Sequence, residues 1–460
     1  LRAWAIDDAD PALFQRVDEV VGEVRTSRRP GFLVIDTMRL GPHSKGDDLR
    51  DDSEMAHIRA RDPLVRLGNT LEPALRIEIE RRNAQFITEI RTCGYSSAEA
   101  RLHRVPAHVF ADSLAPIRND NARPTRGNVT VRSELNGALR RLLAEHAEVI
   151  VLGEDLHDPY GGAFKVTAGL STDFPGRVIS TPISEAGVVG ASIGLALAGF
   201  RPIVEIMFAD FVTLAMDQLY NHAVKLPALS EHGPVPVVVR TPSGGRRGYG
   251  PTHSQSPENL MVAVPGLTVV FPSHRHDIGR LLEQATLDWL HPVLFFEHKL
   301  LYGVTADSGG YEMAPSSPHD PGASLFPTLV KRQHSPDITL VTYGGALPLV
   351  ERVVEMLGAE DLTVEVVVPS LLQPFPKHTL HELLKNKGSV AIIEESPLGP
   401  GFGSELAAML AETGFRGRVR RLAPPPVPIP AARSLESSIL PDERRLFEQL
   451  VAFVTEDDRV

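Results

Sequence analysis

The 460-residue sequence contains one cysteine, Cys93. A single thiol excludes an intramolecular disulfide framework and any cysteine-cluster metal site, and it fits a reducing cytoplasm. No basic segment followed by an apolar core opens the chain, so no secretory signal is read. No apolar run reaches the ~20 residues that span a bilayer. The longest, Val188 to Phe200, is interrupted by Gly190, Gly194 and Gly199 and closed by Arg201. Basic residues are not in excess: 47 Lys and Arg stand against 58 Asp and Glu, a net charge of −11. That balance argues against a nucleic-acid or anionic-membrane binder. No internal repeat is found either, which removes solenoids.

What is present is an average globular composition, 42% hydrophobic and 23% charged, sufficient for a full core. The length predicts about two to four domains. The 37 glycines and 38 prolines point to many turns and loops. The chain opens at Leu1 rather than Met, in what reads as the inside of a helix. A buried strand, Gly31 to Asp36, leads into a polar loop from Arg39 to Asp52, and Asp62 to Ala100 has a charged helical pattern. From Pro106 to Asn128 periodicity is lost among Pro106, Pro116, Pro124 and Gly127, as in a linker.

After that segment strands and helices alternate. Val149 to Leu152, Pro202 to Met207, Val235 to Arg240, Leu267 to Phe271 and Val293 to Phe296 read as strands. Glu185 to Ala198, Thr213 to Lys225 and Asp277 to Leu287 read as helices between them. Such near-continuous apolar strands predict a parallel sheet with helices on both faces. A second Ser-, Pro- and Gly-rich stretch, Asp307 to Pro336, precedes a smaller α/β set that begins at Ile338.

Several positions carry candidate chemistry. In Ser180-Thr-Pro-Ile-Ser-Glu-Ala-Gly187, Ser184 suits an N-cap and Glu185 opens the helix. Glu185 is either a carboxylate stabilised by the helix dipole or a ligand-facing group at the sheet rim. His253, in Gly250-Pro-Thr-His-Ser-Gln-Ser256, is either a solvated loop residue or a proton-transfer group. The loop Gly41-Pro-His-Ser-Lys-Gly-Asp-Asp48 offers His43 and Lys45 to a phosphate, or its acids to a metal. Arg246 and Arg247 are either solvated or meet an anion. The glycines of Gly399-Pro-Gly-Phe-Gly403 read as a tight turn rather than a dinucleotide loop.

Together these segments resemble the thiamine-diphosphate-dependent decarboxylating component of 2-oxoacid dehydrogenase complexes, of the pyruvate, branched-chain or acetoin type. Leu152-Gly-Glu-Asp155, Thr181 to Gly187, Glu205-Ile-Met-Phe-Ala-Asp-Phe211, Asp217-Gln218, Gly250 to Ser256 and Pro265-Gly-Leu267 follow in that family's order. From about Thr130 to Asp442 the chain resembles a beta subunit, and Gly31 to Arg104 resembles the C-terminal end of an alpha subunit. The implied fold is α/β: a transketolase-like pyrimidine-binding domain and a transketolase C-terminal domain, preceded by a helical alpha-subunit tail. The implied boundaries are a tail at 1–105, a linker at 106–128, the pyrimidine-binding domain at 129–306, a linker at 307–336 and the C-terminal domain at 337–460. The start at Leu1 is then expected to reflect truncation or processing.

The resemblance implies that Glu185 hydrogen-bonds the cofactor's pyrimidine, that Ile183 and Phe211 border it, and that His253 serves reductive acylation of a lipoyl group. It implies that His43 lies near the diphosphate and substrate. Thiamine diphosphate and Mg²⁺ are the implied cofactors. The family's Gly-Asp-Gly diphosphate motif occurs nowhere in this sequence, so the metal ligands are expected in a separate alpha half and none here. The implied partners are a 2-oxoacid substrate, that diphosphate-binding half and a lipoylated dihydrolipoyl acyltransferase, in a homodimer or heterotetramer. Two segments depart from the pattern, 226–233 and 366–371. A carboligase of specialised metabolism and a non-catalytic assembly subunit are the alternatives.

Overall fold

The computed structural model describes residues 2–41, 50–97, 129–229 and 233–455. The chain divides into two compact units, Leu1–Arg104 and Val105–Val460.

In the first unit β1 (Arg2–Asp7) and β2 (Gly31–Asp36) pair in parallel around the helix Leu13–Ser27. The opening residues are thus a strand and not the expected helix. Trp4 and Ile6 turn inward while Ala3 and Ala5 stay exposed, a period of two that suits a strand. Helices Asp52–Ala60, Pro63–Gly68 and Pro73–Ser96 follow, in keeping with the charged helical pattern. The last buries none of its residues and is laced by Arg76–Glu80 and Arg81–Glu78 pairs.

The second unit holds two sheets. Its strands are β3 (Val149–Glu154), β4 (Val178–Thr181), β5 (Arg201–Glu205), β6 (Val238–Ser243), β7 (Thr268–Val270) and β8 (Val293–His298). They continue with β9 (Glu312–Met313), β10 (Thr328–Lys331), β11 (Ile338–Thr342), β12 (Val364–Pro369), β13 (Leu371–Gln373), β14 (Ser389–Ile393) and β15 (Arg418–Leu422). The first sheet runs β13-β7-β8-β6-β5-β3-β4, and every pair is parallel except β13 with β7. The second runs β15-β14-β11-β12-β10-β9, antiparallel only where β10 meets its neighbours. The Ser-, Pro- and Gly-rich stretch from Asp307 to Pro336 supplies β9 and β10.

The parallel strands are apolar on both faces because both faces are covered. Val149, Val151, Ile203, Val293 and Phe295 enter one core with the helices Val131–Glu145 and Ile278–Leu287. The alternate residues Leu152, Val204, Leu294 and Phe296 enter the other with the helix Glu185–Leu197. That second core continues through Phe271, Tyr343, Leu372 and Phe402, so it joins the two sheets.

The predicted helix over Thr213 to Lys225 is instead a 3₁₀ turn (Ala209–Ala215), a π turn (Gln218–Ala223) and a short α-helix (Leu226–Leu229). Buried Ala209, Val212 and Ala215 recur every third residue, which three residues per turn align on one face. The next buried positions, Leu219 and Ala223, are four apart, and the backbone widens there. Among the described residues no helix is long and apolar enough to cross a membrane.

Candidate active site

The carboxyl ends of the parallel strands in the first sheet form one edge, the place where open α/β sheets bind ligands. β3 delivers Glu154 there, β4 leads to Ser184 and Glu185, β5 to Phe208 and Phe211, β6 to the loop ending at His253, and β8 to Lys299. Each candidate is therefore placed by a strand exit rather than by its neighbours in sequence.

Ser184 caps its helix as expected, its hydroxyl accepting from Gly187 N at 3.3 Å. Its own N–H donates to Glu154 Oε1 at 3.2 Å. Glu185 occupies the first turn and is half-buried. Burial raises the Glu154 carboxyl above its ordinary range, and the negative charge of Glu185 adds to the rise. Two carboxylates thus share the entrance to one helix. Ile183, just before it, is 83% exposed.

The structure brings Phe211 and His253 together. The His253 ring meets Phe208 edge-on at 4.7 Å and Phe211 at 5.0 Å. Thr252 Oγ1 lies 2.8 Å from His253 Nδ1, and among the described residues nothing is hydrogen-bonded to Nε2. The Phe211-bearing turn packs against the Glu185 helix.

Residues outside the sequence expectation complete the edge. Lys299 is 1% exposed, and its Nζ donates to the His253 carbonyl at 2.5 Å. The ammonium also stands over Phe208 at 5.2 Å and Tyr249 at 5.9 Å. Burial pushes Lys299 down to about 8 while the Asp210 carboxylate resists. Asp210 Oδ1 accepts from Gln255 N at 3.3 Å, its Oδ2 is buried without a hydrogen-bond partner among the described residues, and burial raises it. Lys299 directly follows β8, so the strand-exit rule that marks Glu185 and His253 also marks it.

Below the edge, Arg240 grips Glu297 with two hydrogen bonds of 2.7 and 2.8 Å and Glu205 with one of 3.0 Å. Tyr302 adds its hydroxyl to Glu297 at 2.6 Å. This buried network ties β5, β6 and β8 together where the site loops depart. Arg246 is half-buried and donates to the Pro441 carbonyl, while Arg247 stays exposed and donates to the Lys299 carbonyl at 3.2 Å. His43 lies outside the described residues. The short helix Leu226–Leu229 covers part of one divergent segment, and 230–232 are outside the described residues.

Comparison with known proteins accords with this architecture. Residues 127–305 match the transketolase pyrimidine-binding domain and residues 328–446 the transketolase C-terminal domain. The chain is 35% identical over 322 residues to the pyruvate dehydrogenase E1 component subunit beta of Leifsonia xyli, across 68% of this chain and 91% of that protein. It is 34% identical to the 2-oxoisovalerate dehydrogenase subunit beta of Bacillus subtilis, across 66% and 91%. It is 30% identical to the acetoin:2,6-dichlorophenolindophenol oxidoreductase subunit beta of Cupriavidus necator, across 69% and 95%. Among solved structures, a transketolase from Campylobacter jejuni shares the fold at a TM-score of 0.61 and 14% identity, covering 98% of this chain and 67% of that one. The chain belongs to the family of 2-oxoacid dehydrogenase E1 beta subunits, built from transketolase pyrimidine-binding and C-terminal domains.

Proposed function

We propose that the chain supplies the pyrimidine-binding half of a thiamine-diphosphate enzyme that decarboxylates a 2-oxoacid and passes the acyl group to a lipoylated acyltransferase. The observation that carries this reading is the half-buried Glu185 carboxylate at the first turn of a helix on the ligand-binding edge. The turn bearing Phe211, whose ring touches His253, packs against that helix.

The donor set fits one end of the cofactor. Glu185 is a carboxylate able to hold a proton at a pyrimidine nitrogen, and Ile183 and Phe211 offer apolar surface for the ring. It does not fit the other end. No group of three His, Cys, Asp or Glu among the described residues can hold a metal ion, and Gly-Asp-Gly is absent from the sequence. The diphosphate and Mg²⁺ are therefore assigned to an alpha-type half, with the first unit as the C-terminal tail of such a half and His43 near the diphosphate. When bound, thiamine diphosphate supplies the electron sink for loss of carbon dioxide.

The residues of this chain then hold and move protons around that event. Glu185 fixes the protonation state of the pyrimidine. His253, with Nδ1 at the Thr252 hydroxyl and Nε2 without a hydrogen bond among the described residues, exchanges a proton during acyl transfer to the dithiolane. Because the site is completed by another half, a homodimer or heterotetramer is the working assembly.

The test combines the full chain with a diphosphate-binding half, a 2-oxoacid and a lipoylated acceptor. Acyl-lipoyl product is expected. A 2-hydroxyketone with no acyl-lipoyl would point to a carboligase, and no decarboxylation at all to an assembly subunit.

A further inference from the structure

The loop from Gly244 to Gln255 carries His253 across the edge of the first sheet, and its amides have no ladder to join. Three of them are taken by carboxylates from the domain of the second sheet. Gly245 N donates to Glu395 Oε1 at 2.8 Å. Arg246 N donates to Glu436 Oε1 at 2.7 Å, and Gly248 N donates to Glu436 Oε2 at 3.1 Å.

Glu436 lies on the helix Arg433–Ile439 and is 2% exposed. Both of its oxygens are committed to the two amides that flank Arg247. A carboxylate buried this far needs strong hydrogen bonds to offset desolvation, and charge-assisted bonds from backbone amides provide them. The surrounding segment is shaped to the loop as well. A Cβ on Gly250, which sits at a φ of +78°, would lie 3.2 Å from Ala431 Cβ; one on Gly248 would lie 3.3 Å from the Ala431 carbonyl. The Arg246 guanidinium reaches the Pro441 carbonyl at the far end of the same segment. At the other end of the loop, Ile429 N donates to Gln255 Oε1 at 3.4 Å. Residues 429–441 thus form a template along which the loop is laid, with Glu436 at its centre.

We infer that Glu436 is a positioning residue for His253, holding the loop by two backbone amides so that the imidazole packs edge-on against both Phe208 and Phe211. Its effect on rate rests on the reading of His253 given above; its effect on the loop does not. The C-terminal domain is then a working part of the site, supplying the mould for one of its loops.

Hydrogen exchange on the full chain tests the first half of the inference. Glu436→Gln keeps the side-chain shape but turns an N–H₂ toward one of the two amides, so that hydrogen bond is lost. Exchange at Arg246 and Gly248 is expected to accelerate about tenfold, and further in Glu436→Ala, with β6 and β8 amides at wild-type rates. Unchanged exchange in the loop of both variants would overturn the inference. A double-mutant cycle in the assembled enzyme tests the second half. Glu436→Gln alone is expected to slow acyl transfer about tenfold to a hundredfold and to add nothing in a His253→Ala background. Losses that multiply would overturn a role exerted through His253. If His253→Ala alone leaves acyl transfer intact, the functional reading fails, and the exchange data still decide whether Glu436 holds the loop.

Discussion

The carboxyl edge of the first sheet presents Glu154, Glu185, Phe211 and His253, all of them partly open to their surroundings. The carboxyl edge of the second sheet presents Tyr343, Glu394 and Glu395, with exposures of 3%, 0% and 8%. Both edges terminate parallel strands of similar length, and both carry acids and an aromatic ring. They differ in what the acids meet. Glu394 accepts from Asn259 Nδ2, Gly403 N and the Tyr343 hydroxyl, while Glu395 meets Gly245 N and His298 Nε2. The second edge is used up in fastening its domain to the first sheet, and the first edge is left available. The same architecture therefore leaves one edge open and uses the other for cohesion, so a shared fold does not by itself fix what an edge does.

Substitutions at the two edges should separate these roles. In the assembled enzyme Glu185→Ala is expected to lower 2-oxoacid turnover about 10³-fold or more, with a melting temperature close to wild type. Wild-type turnover in that variant would erase the distinction between the edges. His253→Ala is expected to slow acyl transfer to a lipoylated acceptor about a hundredfold while sparing decarboxylation measured with an artificial electron acceptor. Equal losses in both assays would remove it from the transfer step.

At the second edge the order is reversed. Tyr343→Phe deletes hydrogen bonds to Glu258 at 3.2 Å and Glu394 at 3.1 Å. It is expected to cost about 1–3 kcal/mol in denaturant unfolding with kcat nearly unchanged. A loss of kcat without a loss of stability would contradict the comparison. The smallest effect is one of pH. Burial, with the nearby Glu395 and Glu394 carboxylates, pushes Glu258 up to about 8. The folded chain then keeps a proton that the unfolded chain releases near its ordinary value of 4.5. This contribution to stability is complete below that value and is lost as pH rises toward 8. Glu258→Gln should flatten the fall in melting temperature between pH 5 and 8, and a slope equal to wild type would refute the assignment.

Much of the first edge is legible in the sequence because it follows from local pattern. An apolar run ends, a capping serine or a glycine-rich turn follows, and the next polar residue stands at the rim; Glu185 and His253 are both found this way. The N-terminal strand is harder to read, since Trp4 and Ile6 alternate over too short a span before the helix Leu13–Ser27. The 209–223 segment misleads in another way, because its apolar spacing switches from three to four within a few turns. Residues that act over distance leave no local mark. Glu436 meets a loop nearly 200 residues away, and only the packing of residues 429–441 against that loop reveals it. Lys299 does carry a local mark, its place directly after β8, but its tie to the His253 carbonyl emerges only from the fold.

The central claim is that this chain contributes one half of a shared site. Titration calorimetry of thiamine diphosphate with Mg²⁺ tests it most directly, on the full chain alone and on the chain combined with a diphosphate-binding half. Negligible heat from the chain alone and saturable binding in the combination are expected, the latter weakened by Glu185→Ala. Tight binding to the chain alone, or none in the combination, would contradict the account.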